Sequence, residues 1–220
     1  MRRLLVLTLA IGLVLAATAM PGAAASDRAT TKKIPLVKRD VPKGWKAEPA
    51  DQAESNPQAS AALARCVGVP DPTSQRTARW EGTKFEKGDL EFDTSAVAYE
   101  NTRAIKQAMA AFSSPRSAEC LQQSLVQELT PTLAADNVTM SNVQVQQLEV
   151  PKLGDQRVGV VVTATLSSGD ERRDLFIVTV LMRKGRFGAD FTAQTFDEIF
   201  PQKLGYRLLR KLDSKLDAAA

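Results

Sequence analysis

The alternation of apolar and polar positions is clearest between Gln156 and Phe196. Three β-rich runs, QRVGVVVTATLSS, ERRDLFIVTVLMR and RFGADFTAQTF, are separated by Gly-Asp and Lys-Gly turns, the pattern of an antiparallel meander. In the middle run Leu175, Ile177, Thr179 and Leu181 point one way and Phe176, Val178, Val180 and Met182 the other. A strand apolar on both faces must be covered on both, which places Phe176 centrally. The third run sends Phe187, Ala189, Phe191 and Ala193 to one face and Gly188, Asp190, Thr192 and Gln194 to the other. It reads as half-solvated and nearer an edge or a groove.

Elsewhere the periodicity is mixed. PQASAALARC (57–66) predicts a short helix, with Ser55 or Asn56 as N-cap and Pro57 in its first turn. Thr77–Glu86 and Leu90–Glu100 predict a hairpin turning at Lys87-Gly88, and 137–150 a further strand. Asn101-Thr102 can cap a helix whose Ile105, Ala108, Met109 and Phe112 share a face, and a second helix from Arg116 to about Leu133 carries Cys120, Leu121, Leu125 and Leu129 inward. Asp197 reads as the cap of a last helix, striped by Leu204, Leu208, Leu212 and Leu216. The sum is one α+β domain, a mainly antiparallel sheet of about six strands with helices packed on it.

The N-terminus changes the picture of where the chain works. Arg2-Arg3, the apolar run Leu4–Leu15 and Ala23-Ala24-Ala25 have the layout of a cleaved secretory leader. The apolar run is short for a membrane span. The expected organisation is a leader at 1–25, a flexible tether at 26–34 and the domain at 35–220, with no stable membrane span after cleavage. Cleavage after Ala25 leaves 195 of the 220 residues; losing two of 29 basic side chains leaves 27 against 25 acidic ones. That near balance argues against nucleic-acid binding.

Two cysteines in an exported chain, Cys66 and Cys120, are most simply a disulfide, worth roughly 4 kcal/mol by closing so long a loop. The chain contains no histidine, so neither a Ser-His-Asp nor a Cys-His nucleophile can be assembled, and imidazole-dependent zinc sites are excluded. No Ser-x-x-Lys spacing and no Gly-rich phosphate loop occurs. No catalytic residue, cofactor or metal is therefore expected. Glu86, Asp89, Glu91 and Asp93, interleaved with Lys84 and Lys87, read as a solvated turn, as do Asp170–Asp174. Asp190 reads as a guard on an edge strand, and the basic side of the last helix as a solvated face.

The pieces DVPKGW, ARCVGVPDP, SSPRSAECL, VPKLGDQ, FIVTVLMRKGRF and FPQKL together resemble small secreted or lipid-anchored actinobacterial domains. Those are grouped with extracellular sensor domains of receptor Ser/Thr kinases and with PsbP-like folds. The resemblance implies a non-catalytic, ligand-sensing or envelope-associated role, without a lipidated cysteine or kinase domain in this chain. The leading expectation is an exported ligand-binding or sensor-like domain of the cell envelope whose partner is a small envelope ligand. Trp45, Trp80, Phe187 and Phe191 are the candidate ligand contacts, although a Trp after a Pro-Gly turn also suits packing over a core edge. The alternatives are a protein-interaction or structural envelope module with an envelope protein as partner and, less favoured, a carboxylate-dependent hydrolase using Asp190 and Glu91.

Overall fold

The computed structural model describes residues 21–50 and 57–220. The leader's apolar run and the proposed caps Ser55 and Asn56 lie outside them. The elements in chain order are α1 (Pro21–Thr31), β1 (Lys46–Pro49), α2 (Pro57–Val67), β2 (Arg76–Glu81), β3 (Thr83–Lys87), β4 (Leu90–Tyr99), α3 (Thr102–Ser113), α4 (Ser117–Ala135), β5 (Thr139–Leu148), β6 (Gln156–Ser168), β7 (Glu171–Lys184), β8 (Phe187–Phe196) and α5 (Gln202–Asp217).

The meander forms as its pattern demands. β6 pairs with β7 and β7 with β8, all antiparallel, with Val162 opposite Ile177 and Val180 opposite Phe191. Gly169 and Gly185 supply the left-handed backbone at the two turns. The sheet runs β1-β3-β4-β8-β7-β6-β5, with β2 also paired to β4. That is eight strands rather than six. The expected run 77–86 is broken at Gly82, where a Cβ would stand 2.4 Å from the Thr94 carbonyl oxygen and 2.6 Å from Pro35 Cβ. The chain after Trp45 also adds the short β1.

β8 is not near an edge: it lies between β4 and β7, with Phe191 1% exposed. Its polar residues face the interior of the molecule, as described below, which is why alternation alone reads as solvation. β7 is covered on both sides where Ile177 and Val180 sit, and the cover thins at Phe176, which is half-buried.

Two helical layers make that cover. α2, α3 and α4 pack on one face; Leu125, Leu129 and Leu133 of α4 meet Val162, Leu175 and Ile177. Asn101 caps α3 by accepting from the Ala104 N–H at 3.0 Å. A Cys66–Cys120 disulfide joins the end of α2 to α4, with Cα atoms 5.8 Å apart. α5 lies on the opposite face, burying Leu208, Leu209, Leu212 and Leu216 beside Phe191 and Phe200. Asp197 does not cap it. That residue, at φ +63°, accepts from the Asp174 N–H and Arg173 Nε at 3.0 and 2.8 Å, tying down the end of β8.

Residues 26–34 are not a loose tether. Ser26–Thr31 complete α1, and Asp27, Thr31 and Ile34 are 2%, 0% and 0% exposed. Asp27 accepts from Arg186 Nη1 at 2.8 Å and from the Thr77 hydroxyl, while Arg186 also donates to the Tyr99 carbonyl at 2.9 Å. Polar sequence here is polar because it forms an internal ion pair. The Arg186 hydrogen bond holds the Asp27 carboxyl below its ordinary range against the opposing cost of burial.

Removing the disulfide with Cys66→Ser and Cys120→Ser is expected to cost about 2–5 kcal/mol in urea unfolding. Asp27→Asn should cost about 1–3 kcal/mol at pH 7. Because the folded carboxyl titrates below its ordinary 3.8, the wild type's advantage is present above that pH and disappears as the pH falls through the lowered value. An Asn variant as stable as wild type at pH 7 would mean that α1 does not dock through this pair.

Candidate functional site

The helix-covered face of the sheet is where alternation places charge. Along β4, Glu91, Asp93, Ser95 and Val97 share one side, while Phe92, Thr94, Ala96 and Ala98 share the other. Register sets Asp93 opposite Thr192 and Ser95 opposite Asp190 on β8, Glu81 opposite Ser95 on β2, and Thr179 of β7 opposite Thr192. Arg79, two residues before Glu81, joins the same side. A polar patch thus crosses four strands in the middle of a sheet.

Beside it the packing is incomplete. Between the sheet and α2–α4 lies a cavity of about 110 Å³. Val97, Ile105, Met109, Leu121, Val160 and Leu181 are among its apolar walls, and Arg76, Arg79, Thr179, Asp190 and Thr192 form its polar end. Two small residues shape it: Gly188 lets Ile105 approach β8 so closely that a Cβ would stand 3.0 Å from Ile105 Cδ1, and Ala108 borders the space from α3. Arg79, Ala108, Leu181, Asp190 and Thr192 are all partly exposed, so the space is a cleft reached by solvent. An apolar cleft with a few converging polar groups is the usual form of a small-molecule site.

Its charges are arranged unequally. Arg79 Nε donates to Glu81, and the Ser95 hydroxyl donates to Asp190. Burial would lower the Arg79 pKa, but Asp190 and Glu81 outweigh it and raise the guanidinium above its ordinary value. Burial raises the Glu81 carboxyl despite Arg79. Asp93 is pushed up to about 8, first by burial, then by the like charges of Asp190, Glu81 and Glu91, with Arg79 opposing. At neutral pH Asp93 therefore keeps its proton and can donate a hydrogen bond beside Asp190. Glu91, also raised by burial, is held by Lys84 at 3.1 Å.

The sequence-derived contacts fall elsewhere. Trp45, Phe187 and Phe191 belong to the core on the α5 side, at 4%, 6% and 1% exposed. Trp45 meets Phe92 edge-on at 5.0 Å, and Phe92 stacks on Phe191 at 5.5 Å. Trp80 is half-buried and separate, with Lys32 Nζ 4.9 Å from its ring centroid. The four do not line one cleft; three of them hold the sheet to α5. Asp190 is a central residue facing the cleft, not an edge guard. Asp93 sits inside β4, whereas Asp89 stays at the turn and binds Arg173 at 2.7 Å.

The sequence does not single out Arg79 or Glu81, and the shared face of Ile105, Ala108 and Met109 reads there as a helix stripe rather than as a cleft wall. Alternating acids at 91 and 93 and the polar row 190, 192 and 194 were the available signal, but a face turned to solvent leaves the same pattern. Among the described residues no group of three or more His, Cys, Asp or Glu is placed to hold a metal ion, and no helix is long and apolar enough to cross a membrane.

Because the folded Asp93 pKa lies above its ordinary 3.8, wild type loses stability as the pH rises from about 4 to about 8. Asp93→Asn escapes that loss. Calorimetric melting at pH 9 should find the variant more stable by at least about 1.4 kcal/mol, one pKa unit's worth, with the gap closing towards pH 4. Parallel melting profiles would mean that water solvates Asp93 freely.

No family model and no curated protein sequence matches the chain. Three solved structures are distantly similar in fold. The extracellular domain of PknH from Mycobacterium tuberculosis aligns at a TM-score of 0.39 and 10% identity, covering 79% of this chain and 82% of that one. An Rv0999 ortholog from Mycobacterium smegmatis gives 0.31 and 15%, covering 86% and 82%. LpqN of M. tuberculosis, described as involved in cell envelope biogenesis, gives 0.30 and 11%, covering 81% and 78%. A link to PsbP-like folds is not shown by these three. The likeness to all three is distant and one of fold alone.

Proposed function

We propose that this chain is an exported, non-catalytic domain that binds a small amphipathic molecule of the cell envelope in the cleft between β2, β4, β8, β7 and α3. The observation that carries this reading is the cleft itself: about 110 Å³ of largely apolar space ending on Arg79, Thr179, Asp190 and Thr192. An apolar cleft ending on a few converging polar groups suits an amphipathic molecule, and a bound one would take the apolar walls out of water. Export is supported by the leader-like N-terminus and by the disulfide, which belongs to oxidising compartments. The absence of histidine leaves no ordinary nucleophile–base pair.

Carboxylate-dependent hydrolysis is the second reading, and one observation favours it. Asp93, pushed up to about 8 and set diagonally across the β4–β8 ladder from Asp190, could serve as a general acid near neutrality. The disposition of the groups favours binding: Asp190 accepts from Ser95, and the cleft in front of it is lined mainly by aliphatic and aromatic side chains.

Native mass spectrometry of residues 26–220 isolated from the producing organism tests the proposal, with Ala108→Phe as the comparison because that ring would fill the cleft from α3. A small molecule retained by wild type and lost from a folded Ala108→Phe variant is the expected result. Equal retention by both proteins would remove the cleft as the site. Turnover of envelope glycosides or esters that is abolished by Asp93→Asn and Asp190→Asn would instead establish the hydrolase.

A further inference from the structure

Resting on the cleft reading above, we infer that the ligand carries one cationic ammonium head on a short apolar body, and that the head lodges against Asp190 with Asp93 beside it. The body is limited by volume. At roughly 10–15 Å³ per water-sized atom, the cleft holds on the order of eight heavy atoms, enough for a short chain or ring.

The head follows from charge. Glu81 already holds Arg79 through its ion pair, so that guanidinium is a poor receiver for a second anion. Asp190 accepts from the neutral Ser95 hydroxyl and shares the Arg79 charge with Glu81 without a hydrogen bond to it, and Asp93 lies diagonally across the β4–β8 ladder from it. Thr179 and Thr192, whose hydroxyl oxygens are 3.4 Å apart, offer further acceptors at the same end of the cleft. An ammonium can donate three hydrogen bonds and accept none, which fits carboxylate and hydroxyl oxygens. Arg76 also lines the space, and with Arg79 it sets the competing possibility of an anionic head.

The arrangement couples binding to a proton. The charged groups acting on Asp93 are Asp190 of β8, Glu81 and Arg79 of β2, and Glu91 of its own strand. Without ligand, a proton on Asp93 relieves the crowding of carboxylates. A cation beside Asp190 relieves it as well, so the Asp93 proton leaves to solvent when the head arrives. Affinity then rises with pH and levels above about 8, where Asp93 is already ionised.

Three probes of matched size test this on residues 26–220: heptylammonium, heptan-1-ol and hexanoate, titrated by calorimetry between pH 6 and 9. Heptylammonium should bind at least about tenfold tighter than the other two. It alone should tighten as the pH rises, and buffers of unlike ionisation enthalpy should register proton release. Asp190→Asn should remove the preference for heptylammonium over heptan-1-ol. Hexanoate binding tightest, or heptanol matching heptylammonium, would overturn the head assignment while leaving a ligand cleft. Should none of the three bind, the cleft reading itself fails. If Asp190→Asn does not fold, the wild-type pH profile and the ranking of the probes decide alone.

Discussion

The fold depends on the Phe92–Phe191 contact across β4 and β8, because everything on the α5 side converges on it. Phe92 is packed by Phe85, Trp45 and Phe200 as well as Phe191, at centroid distances between 4.9 and 6.1 Å. Phe85, Phe92 and Phe191 are at most 1% exposed, and burying each such side chain contributes roughly 1.5–3 kcal/mol. Because a strand alternates, filling one side of β4 and β8 so completely leaves the intervening residues on the other side free to carry charge. The aromatic face supplies stability that the opposite face, with its buried acids and its cavity, gives up. Sites of function are where such local conflicts are expected.

The cleft's roof and rim are secured differently. The disulfide fixes α2 to α4, and α4 is seated on β5 and β6 by leucines. α3 is held by the Asn101 cap and by Ile105 and Met109 against Val158, Val160 and Tyr99. At the rim, Arg186 links Asp27 of α1 to the Tyr99 carbonyl at the end of β4. The N-terminal helix is therefore connected through one side chain to the strand that carries Asp93. That placement makes the segment just after the expected cleavage point part of the structure that shapes the cleft.

Much of the frame was legible because it rests on local periodicity. The meander, its glycine turns, the Asn101 cap, the α4 stripe and the cysteine pair follow from spacing or from compartment chemistry, with no long-range knowledge required. What was not legible depends on pairing. Nothing local in RFGADFTAQTF says that β4 will add to its far side, so a central strand reads as an outer one. Trp45, Phe187 and Phe191 are large aromatics, and size alone does not separate a core residue from a ligand contact. The tether misread has a similar origin: Asp27 is polar in isolation and buried only because Arg186 lies 159 residues away in sequence.

The same dependence explains why the polar residues on the cleft side of the sheet resemble an ordinary solvated face. Glu91, Asp93, Asp190 and Gln194 obey the simplest rule for an exposed strand side, polar on alternate residues. The helices that cover the sheet reverse its meaning, since a carboxylate under a helix loses hydration and must find a proton, a cation or a donor. Glu81 finds Arg79, Glu91 finds Lys84 and Asp190 finds Ser95. Asp93 retains its proton near neutrality. A purely structural patch would have gained by replacing Asp93 with an apolar residue, because a buried acid contributes less than well-packed hydrocarbon. The protonated Asp93, the adjoining cleft and the small Gly188 and Ala108 beside it together favour the proposed ligand, which would occupy the space and exchange its own charge for that proton.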